Sequence, residues 1–391
     1  MRVIFLFVCS AIVLLFSCKL GADEDVKELI KQFADERLRD DAIAKVIRSG
    51  TKATDALIEA FADKDRLVRA GVAEALGAIK DKRAEKPLIE HLKDEDPYVR
   101  ALCAEALGEL KSKDAVEALI KLLTDDDAVV KRAAAKALGL IGDERAIAPL
   151  TRLSVTTDNF LWRAVSKALL DIGKEKVIPV LLGSLKSDDM QLRIASVRLL
   201  AEFGDRKSVE PLQDVLKNDK EDRVREEAAK ALGTLGDRDA VKTLIDALKD
   251  KKKNVRMAAA RALAVLGDPD AIKPLYEMMA NPDTDVACVA VEALGRFKNK
   301  DAEKHLIWGL HSSKQKIRRA AAAALGENGT KEAVPHLIRM LVKDDKDLNR
   351  IAADSLARIT GENFGTDYEK WCKWYEEKYG KRADEGDEGG E

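Results

Sequence analysis

Aromatic side chains are scarce in this 391-residue chain, at 5%, although hydrophobic residues together reach 46%. Ala and Leu carry the difference, and small side chains favour helices that pack closely. Net charge is almost absent, with 68 basic residues against 70 acidic ones. Such a balance argues against a nucleic-acid partner and gives the whole chain no general attraction to a membrane, so any charge signal must be local. Cysteine is also sparse: beyond Ala22 only Cys103, Cys288 and Cys372 occur, far apart in sequence. That spacing excludes a disulfide framework and any CxxC metal site, and each thiol reads as a small buried or half-buried side chain. The chain carries no P-loop, no GxGxxG after a strand, no GxSxG elbow and no HExxH. Neither a catalytic residue, a metal nor a cofactor is expected.

Residues 1–22 are a different material. Arg2 is followed by Val3 to Phe16, a run of 14 almost wholly apolar residues, and then by small or polar ones. The pattern reads as a secretory signal and is short of the roughly 20 apolar residues that a bilayer span needs. Two endings fit it. Leu15-Phe16-Ser17-Cys18 resembles the lipobox of bacterial lipoproteins, although Phe16 is bulkier than the usual residue there, and makes Cys18 a lipidation candidate. Cleavage after Leu20-Gly21-Ala22 offers a small Ala22 at the cut, with Leu20 a poor fit. Either ending implies export to the periplasm or cell envelope, with membrane attachment only through a lipid on Cys18.

Beyond this segment one phrase returns every 31 or 32 residues. A single column reads Arg69, Arg100, Lys131, Trp162, Arg193, Arg225, Arg256, Ala287, Arg318 and Arg350. A fixed beat of this length marks a repeat array. In one copy, Leu88, Ile89 and Leu92 share a side of a short first helix. Val99, Cys103, Ala106, Leu107 and Leu110 then fall at i, i+4, i+7, i+8 and i+11 of a second. Between them Asp96 can cap the second helix and Pro97 can open it. The capping position recurs as Asp65, Asp96, Asp127, Asp158, Asp189, Glu221 and Asp283, whereas Gly-Asp pairs such as Gly142-Asp143 and Gly236-Asp237 mark the other turn. Neither helix covers its apolar stripe alone, so neighbouring pairs must stack.

The repeated V-R-x-A-x-x-A-L-G, the Gly-Asp turn and the A-x-x-P-L-I helix resemble HEAT repeats, in the short form associated with phycobilin lyases. The resemblance covers about residues 24 to 361. It implies an all-α, right-handed α-solenoid of about eleven HEAT-like helical hairpins. It also implies a polar ladder between adjacent repeats, which would be built from Asp65, Asp96, Asp127 and Asp189 with Arg69, Arg100, Lys131, Arg193, Arg225, Arg256, Arg318 and Arg350. Trp162 and Ala287 break the basic column. Trp162 reads either as a packing spacer or as an aromatic anchor for a partner.

Residues one and five places after the ladder position lie opposite the apolar stripe and share one exposed face. Lys136, Lys167, Arg198, Lys230 and Arg261 occupy the later column in five consecutive copies, and Arg132 and Arg163 the earlier one. In HEAT folds the second helix usually lines the concave surface, which would make these residues a basic strip for a partner with an acidic surface. A solvated face with acidic neighbours is the alternative. His305 and His336, 31 residues apart, should be neighbours on adjacent first helices, and the His-Glu dyads of iron-binding HEAT hydroxylases do not occur.

The ends differ from the body. Residues 23–62 fit the register poorly and read as a degenerate N-terminal capping repeat, ahead of the array at 63–361. The stretch 362–380 holds Trp371, Trp374 and Tyr375, and resembles the terminal segment T-G-x-x-F-G-x-D-x-x-x-W-x-x-W of other exported bacterial HEAT proteins. Its aromatics should fold over the last repeat. The Gly- and acid-rich tail 381–391 cannot bury a core and should be disordered. The functional expectation is a non-catalytic scaffold or adaptor for protein partners. A lyase-type enzyme similar to phycobilin lyase subunits, or a binder of an anionic polymer, are the alternatives.

Overall fold

Paired helices follow one another along the whole of the computed structural model, which describes residues 25–380 and Ala383. The proposed signal segment with Cys18, and the tail 381–391 apart from Ala383, lie outside the described residues. No strand occurs among the described residues, and no helix among them is long and apolar enough to cross a membrane. Helices α1 to α22 form eleven antiparallel pairs, and a last helix α23 follows them. This is the all-helical solenoid that the periodicity predicts.

The chain divides into two units, with the boundary after Ala146. The first contains the pairs α1 (Val26–Lys31) with α2 (Arg39–Arg48), α3 (Thr54–Ala60) with α4 (Arg66–Ile79), α5 (Glu85–Glu90) with α6 (Pro97–Glu109), and α7 (Val116–Leu122) with α8 (Ala128–Ile141). The second begins with α9 (Ile147–Leu153) and α10 (Asn159–Ile172). It continues through α11 (Lys174–Ser184), α12 (Met190–Phe203), α13 (Val209–Asn218), α14 (Asp222–Leu235), α15 (Val241–Ala247) and α16 (Lys253–Leu266). Helices α17 (Ile272–Met279), α18 (Thr284–Leu294), α19 (Lys300–Gly309), α20 (Gln315–Asn328), α21 (Val334–Met340), α22 (Lys346–Thr360) and α23 (Tyr368–Tyr379) complete it.

The pair α5/α6 shows why each copy folds. Asp96 accepts from the backbone N–H groups of Tyr98 at 2.8 Å and Val99 at 3.4 Å, and Pro97 occupies the first turn. Val99, Cys103, Ala106 and Leu107 are buried, as are Leu88 of the first helix and Leu92 in the turn just after it. Asp65, Asp127, Asp158, Asp189 and Asp283 cap their helices in the same way, whereas Glu221 makes no side-chain cap. The longer Glu side chain suits this geometry less well than Asp. Ahead of α22 the cap shifts one residue, to Asp345.

Second helices of adjacent pairs touch almost backbone to backbone. A Cβ added at Gly77 would lie 2.8 Å from Ala106 Cα, and one at Gly233 2.9 Å from Ala262 Cα. The glycine of the repeated A-L-G phrase therefore sets how closely one repeat docks on the next. At the N-terminal end, Leu29, Ile30, Phe33, Ile43 and Val46 are buried, so α1 and α2 are a packed pair. Helix α3 pairs with α4, so the second pair begins at residue 54, inside the segment 23–62.

At the C-terminal end Trp371 is fully buried, donates from Nε1 to the carbonyl of Gly365 at 2.8 Å, and meets Phe364 and Trp374 edge-on. The ammonium of Lys378 sits 4.8 Å above the Trp374 ring. Ala383 is buried and its carbonyl accepts from Arg339 Nε at 3.0 Å.

Candidate partner-binding surface

The basic column forms an interrepeat ladder, but with acids other than the capping ones. Arg69 binds Asp94 through Nε at 2.8 Å and Nη2 at 3.0 Å, and Arg100 binds Asp125 through the same two nitrogens, each at 2.9 Å. Arg193 binds Asp219 at 2.7 and 3.1 Å, and Arg225 binds Asp250 at 2.9 and 3.1 Å. In every case the acid stands two residues before the capping position of the next copy. Asp65, Asp96, Asp127 and Asp189 are engaged as helix caps, and this corrects the ladder role that the resemblance implied for them. The second oxygen of Asp96 receives Arg66 Nη1 of the preceding copy at 3.1 Å, outside the basic column.

Burial tends to raise the carboxyl pKa of Asp94, Asp125 and Asp250. The arginine hydrogen bonds and a backbone N–H outweigh it and hold all three below the usual value. The rest of the column departs from the pattern. Among the described residues Lys131 makes no ion pair of this kind, and Arg256 and Arg318 keep only bonds to backbone carbonyls. Arg350 is exposed and lies 3.8 Å from Asp354 of its own helix. The carboxylate of Asp345 goes instead to Arg319, at 2.6 Å from Nη2.

The basic strip is largely met by neighbouring acids. In the first unit Lys136 lies 3.5 Å from Glu105, and Arg132 is half-buried beside it on α8. In the second unit Lys167 pairs with Asp171, Arg198 with Glu227 at 2.7 Å and Lys230 with Glu226 at 2.7 Å. Arg163 and Arg261 are exposed and carry no ion pair among the described residues. Four of the five strip cations are therefore partly neutralised within the fold.

Trp162 is half-buried on α10, and Ala287 is buried. Sequence reasoning missed the displayed aromatic nearest to it, Phe160, which is 73% exposed two residues before Trp162. Phe160, Arg163 and Lys167 stand at i, i+3 and i+7 and share the outward face of α10. The same repeat position holds Tyr98 and Val129 in the first unit, 47% and 51% exposed. The recurrence at 98, 129 and 160, in step with the 31-residue beat, was the available signal.

The histidines pack against other rings. His305 stacks on Tyr276 at 4.0 Å, His336 meets His311 edge-on, and His91 stacks on Phe61. Among the described residues no group of three or more His, Cys, Asp or Glu side chains is placed to hold a metal ion. Cys103 is buried, which pushes its thiol pKa upward and leaves it unreactive.

Comparison with known proteins gives the same architecture. A family profile of HEAT repeats matches residues 26–94, 85–169, 159–233, 216–287 and 274–357. Kap121p bound to Ste12p is 15% identical with a TM-score of 0.57, over 91% of this chain and 47% of that one, so this chain spans about half its length. At that identity the likeness is one of fold. An engineered protein is 22% identical with a TM-score of 0.35, over 86% of this chain and 99% of that one. The complex of CpcE and CpcF of phycocyanin lyase from Nostoc sp. PCC7120 is 24% identical with a TM-score of 0.31, over 61% and 92%. No curated protein matches.

Proposed function

The chain belongs to the HEAT-repeat family, and from that premise we propose that it is a non-catalytic scaffold that holds protein partners on the exposed faces of its second helices. One observation carries the reading: α10 presents Phe160, 73% exposed, on one face with Arg163 and Lys167. Burying an exposed Phe side chain contributes roughly 1.5 to 3 kcal/mol, so leaving it in water is a cost that a partner would recover. Arg163 and Lys167 add a like-charge i,i+4 pair that an isolated helix would disfavour by a few tenths of a kcal/mol.

The partner that suits this face carries an apolar residue beside acidic ones. Tyr98, Val129, Arg132 and Lys136 offer the first unit a similar combination, while the longer strip through Arg198, Lys230 and Arg261 contributes less because Glu226 and Glu227 already engage two of those cations. Export to the cell envelope is part of the same proposal and rests on residues 1–22 alone.

A photo-crosslinking amino acid at position 160 tests it in native cell extract. The expected result is a discrete protein adduct that is lost with Arg163→Glu and Lys167→Glu, and that does not form from a crosslinker at exposed Glu210 on the first-helix side. Equal labelling from both positions would remove the face from consideration.

A further inference from the structure

Six ladder arginines share one anchor. In Arg69, Arg100, Arg193, Arg225, Arg256 and Arg318, Nη1 donates to the carbonyl of the residue six positions earlier, at 2.8 to 3.0 Å. In the four copies with a bidentate pair, the Nε and Nη2 edge then meets an Asp of the next copy. That Asp has a second task. Its Oδ1 also accepts the backbone N–H two residues on, as Asp250 does from Lys252 at 2.7 Å and Asp219 from Glu221 at 2.9 Å. One oxygen finishes the turn, and the other receives Arg Nε.

At Arg256 the corresponding residue, 25 positions on, is Asn281. Its Oδ1 accepts from Asp283 N at 3.0 Å, so the turn is finished in the same way. The other branch of the side chain is consequently the amide NH2, a donor where the carboxylate has its second oxygen. The Nε of Arg256 is buried and finds no acceptor among the described residues. Asp250, close by, has both oxygens engaged by Arg225 and by Lys252 N. The Lys314 ammonium donates to the carbonyls of Asn281 and Pro282, which places a second positive charge at this turn. An open groove of about 440 Å³ adjoins it, with Ile245, Leu248 and Met278 as its apolar wall; beside Arg256 and Asn281 its polar lining is Lys249 and two acids, Glu277 and the already engaged Asp250.

We propose that this groove binds a carboxylate carried on a short apolar segment of a partner protein. One carboxylate oxygen accepts from Arg256 Nε and Asn281 Nδ2, completing the rung that Asp completes elsewhere, and the flanking apolar side chains lie against Ile245, Leu248 and Met278. A buried guanidinium Nε without an acceptor is costly, and an incoming carboxylate relieves that cost with charge-assisted bonds. The apolar wall makes the ligand a peptide-borne acid. This groove is apart from the α10 face, so the failure of one leaves the other standing.

The test uses the full chain with 15N-labelled arginine and follows the Nε–Hε resonance of Arg256, identified by its loss in Arg256→Gln. The probes are acetyl-Leu-Asp-Leu-amide, the same peptide with Asn for Asp, and acetyl-Leu-Leu with a free carboxylate. A saturable shift with either carboxylate peptide, at least about tenfold weaker with the Asn peptide, supports the site. The stronger of the two acids tells whether a side chain or a chain terminus is preferred. In Asn281→Asp the rung is filled internally, so carboxylate binding should be lost while the melting temperature is equal or higher. No shift up to about 10 mM peptide, an equal response to the Asn peptide, or undiminished binding by Asn281→Asp would each overturn the proposal.

Discussion

Arg225 and Asp250, 25 residues apart, meet through two parallel bonds, Nε to Oδ2 at 2.9 Å and Nη2 to Oδ1 at 3.1 Å, with Arg225 only 3% exposed. Removing one partner strands the other charge in a buried site, and such truncations cost roughly 3 to 5 kcal/mol. Arg225→Ala should therefore lower the urea midpoint of unfolding strongly. Asp250→Asn recreates the donor-against-donor arrangement of Asn281 and should cost about 1 to 3 kcal/mol. Asn281→Asp should move stability the other way. If the two Asp/Asn exchanges had the same sign, the ladder would not be a set of equivalent rungs.

Glycine-to-alanine changes should have opposite signs at two helical positions. A Cβ at Gly183 of α11 meets nothing within 4 Å, so Gly183→Ala should stabilise the protein by roughly 0.5 to 1 kcal/mol through helix propensity. At Gly233 the same Cβ would stand 2.9 Å from the Cα of Ala262, a backbone atom that moves only if the next repeat moves. Gly233→Ala should be destabilising by about 1 to 3 kcal/mol, the usual range for overpacking. Paired denaturation curves of the two variants check the contrast, and a gain at Gly233 would show that the repeats can slide apart at little cost.

Lys111 holds a left-handed backbone, with φ of 53°, where Gly142 and Gly236 serve in other copies. Its N–H donates to the carbonyl of Gly108, and that of Ser112 to Leu107, so the helix end needs this conformation. A side chain there costs roughly 1 to 2 kcal/mol. Lys111→Gly should recover about half of that, the remainder being offset by the greater freedom of Gly in the unfolded chain. The check is the urea midpoint, which should rise.

The fold was legible because three signals agreed at one spacing: apolar residues at helical intervals, a capping Asp and a Gly-Asp turn. The site was less so. A helical wheel placed Lys136 and Arg198 on the outward face correctly, but it could not show that Glu105 and Glu227 lie within reach, because those acids come from neighbouring helices. The ladder failed in the same way. Asp94 and Asp96 are both acidic and near in sequence, and only the turn geometry decides which one faces Arg69 and which one caps α6. Phe160 went unremarked because Trp162, the larger aromatic, interrupts the more obvious column.

The acid limb of stability should carry a signature of the Gly-Asp turns and their equivalents. Asp81 is lowered from 3.8 to about 2, chiefly by the hydrogen bonds of the Arg83 side chain and backbone, and Asp143 is lowered to about 2 in the same way by Arg145. A depressed folded pKa means that the unfolded chain takes up the proton first as pH falls. The stabilisation these carboxylates give is thus complete above about pH 4 and lost progressively between there and pH 2. In Asp81→Asn with Asp143→Asn that part of the pH dependence should disappear, leaving a flatter stability profile below pH 4 and little change in slope above it. Carbon-detected titration of the two carboxyl groups in the wild-type protein should show midpoints near 2. Midpoints near the ordinary 3.8 would mean that Arg83 and Arg145 leave their carboxylates solvated and do not lock the turns.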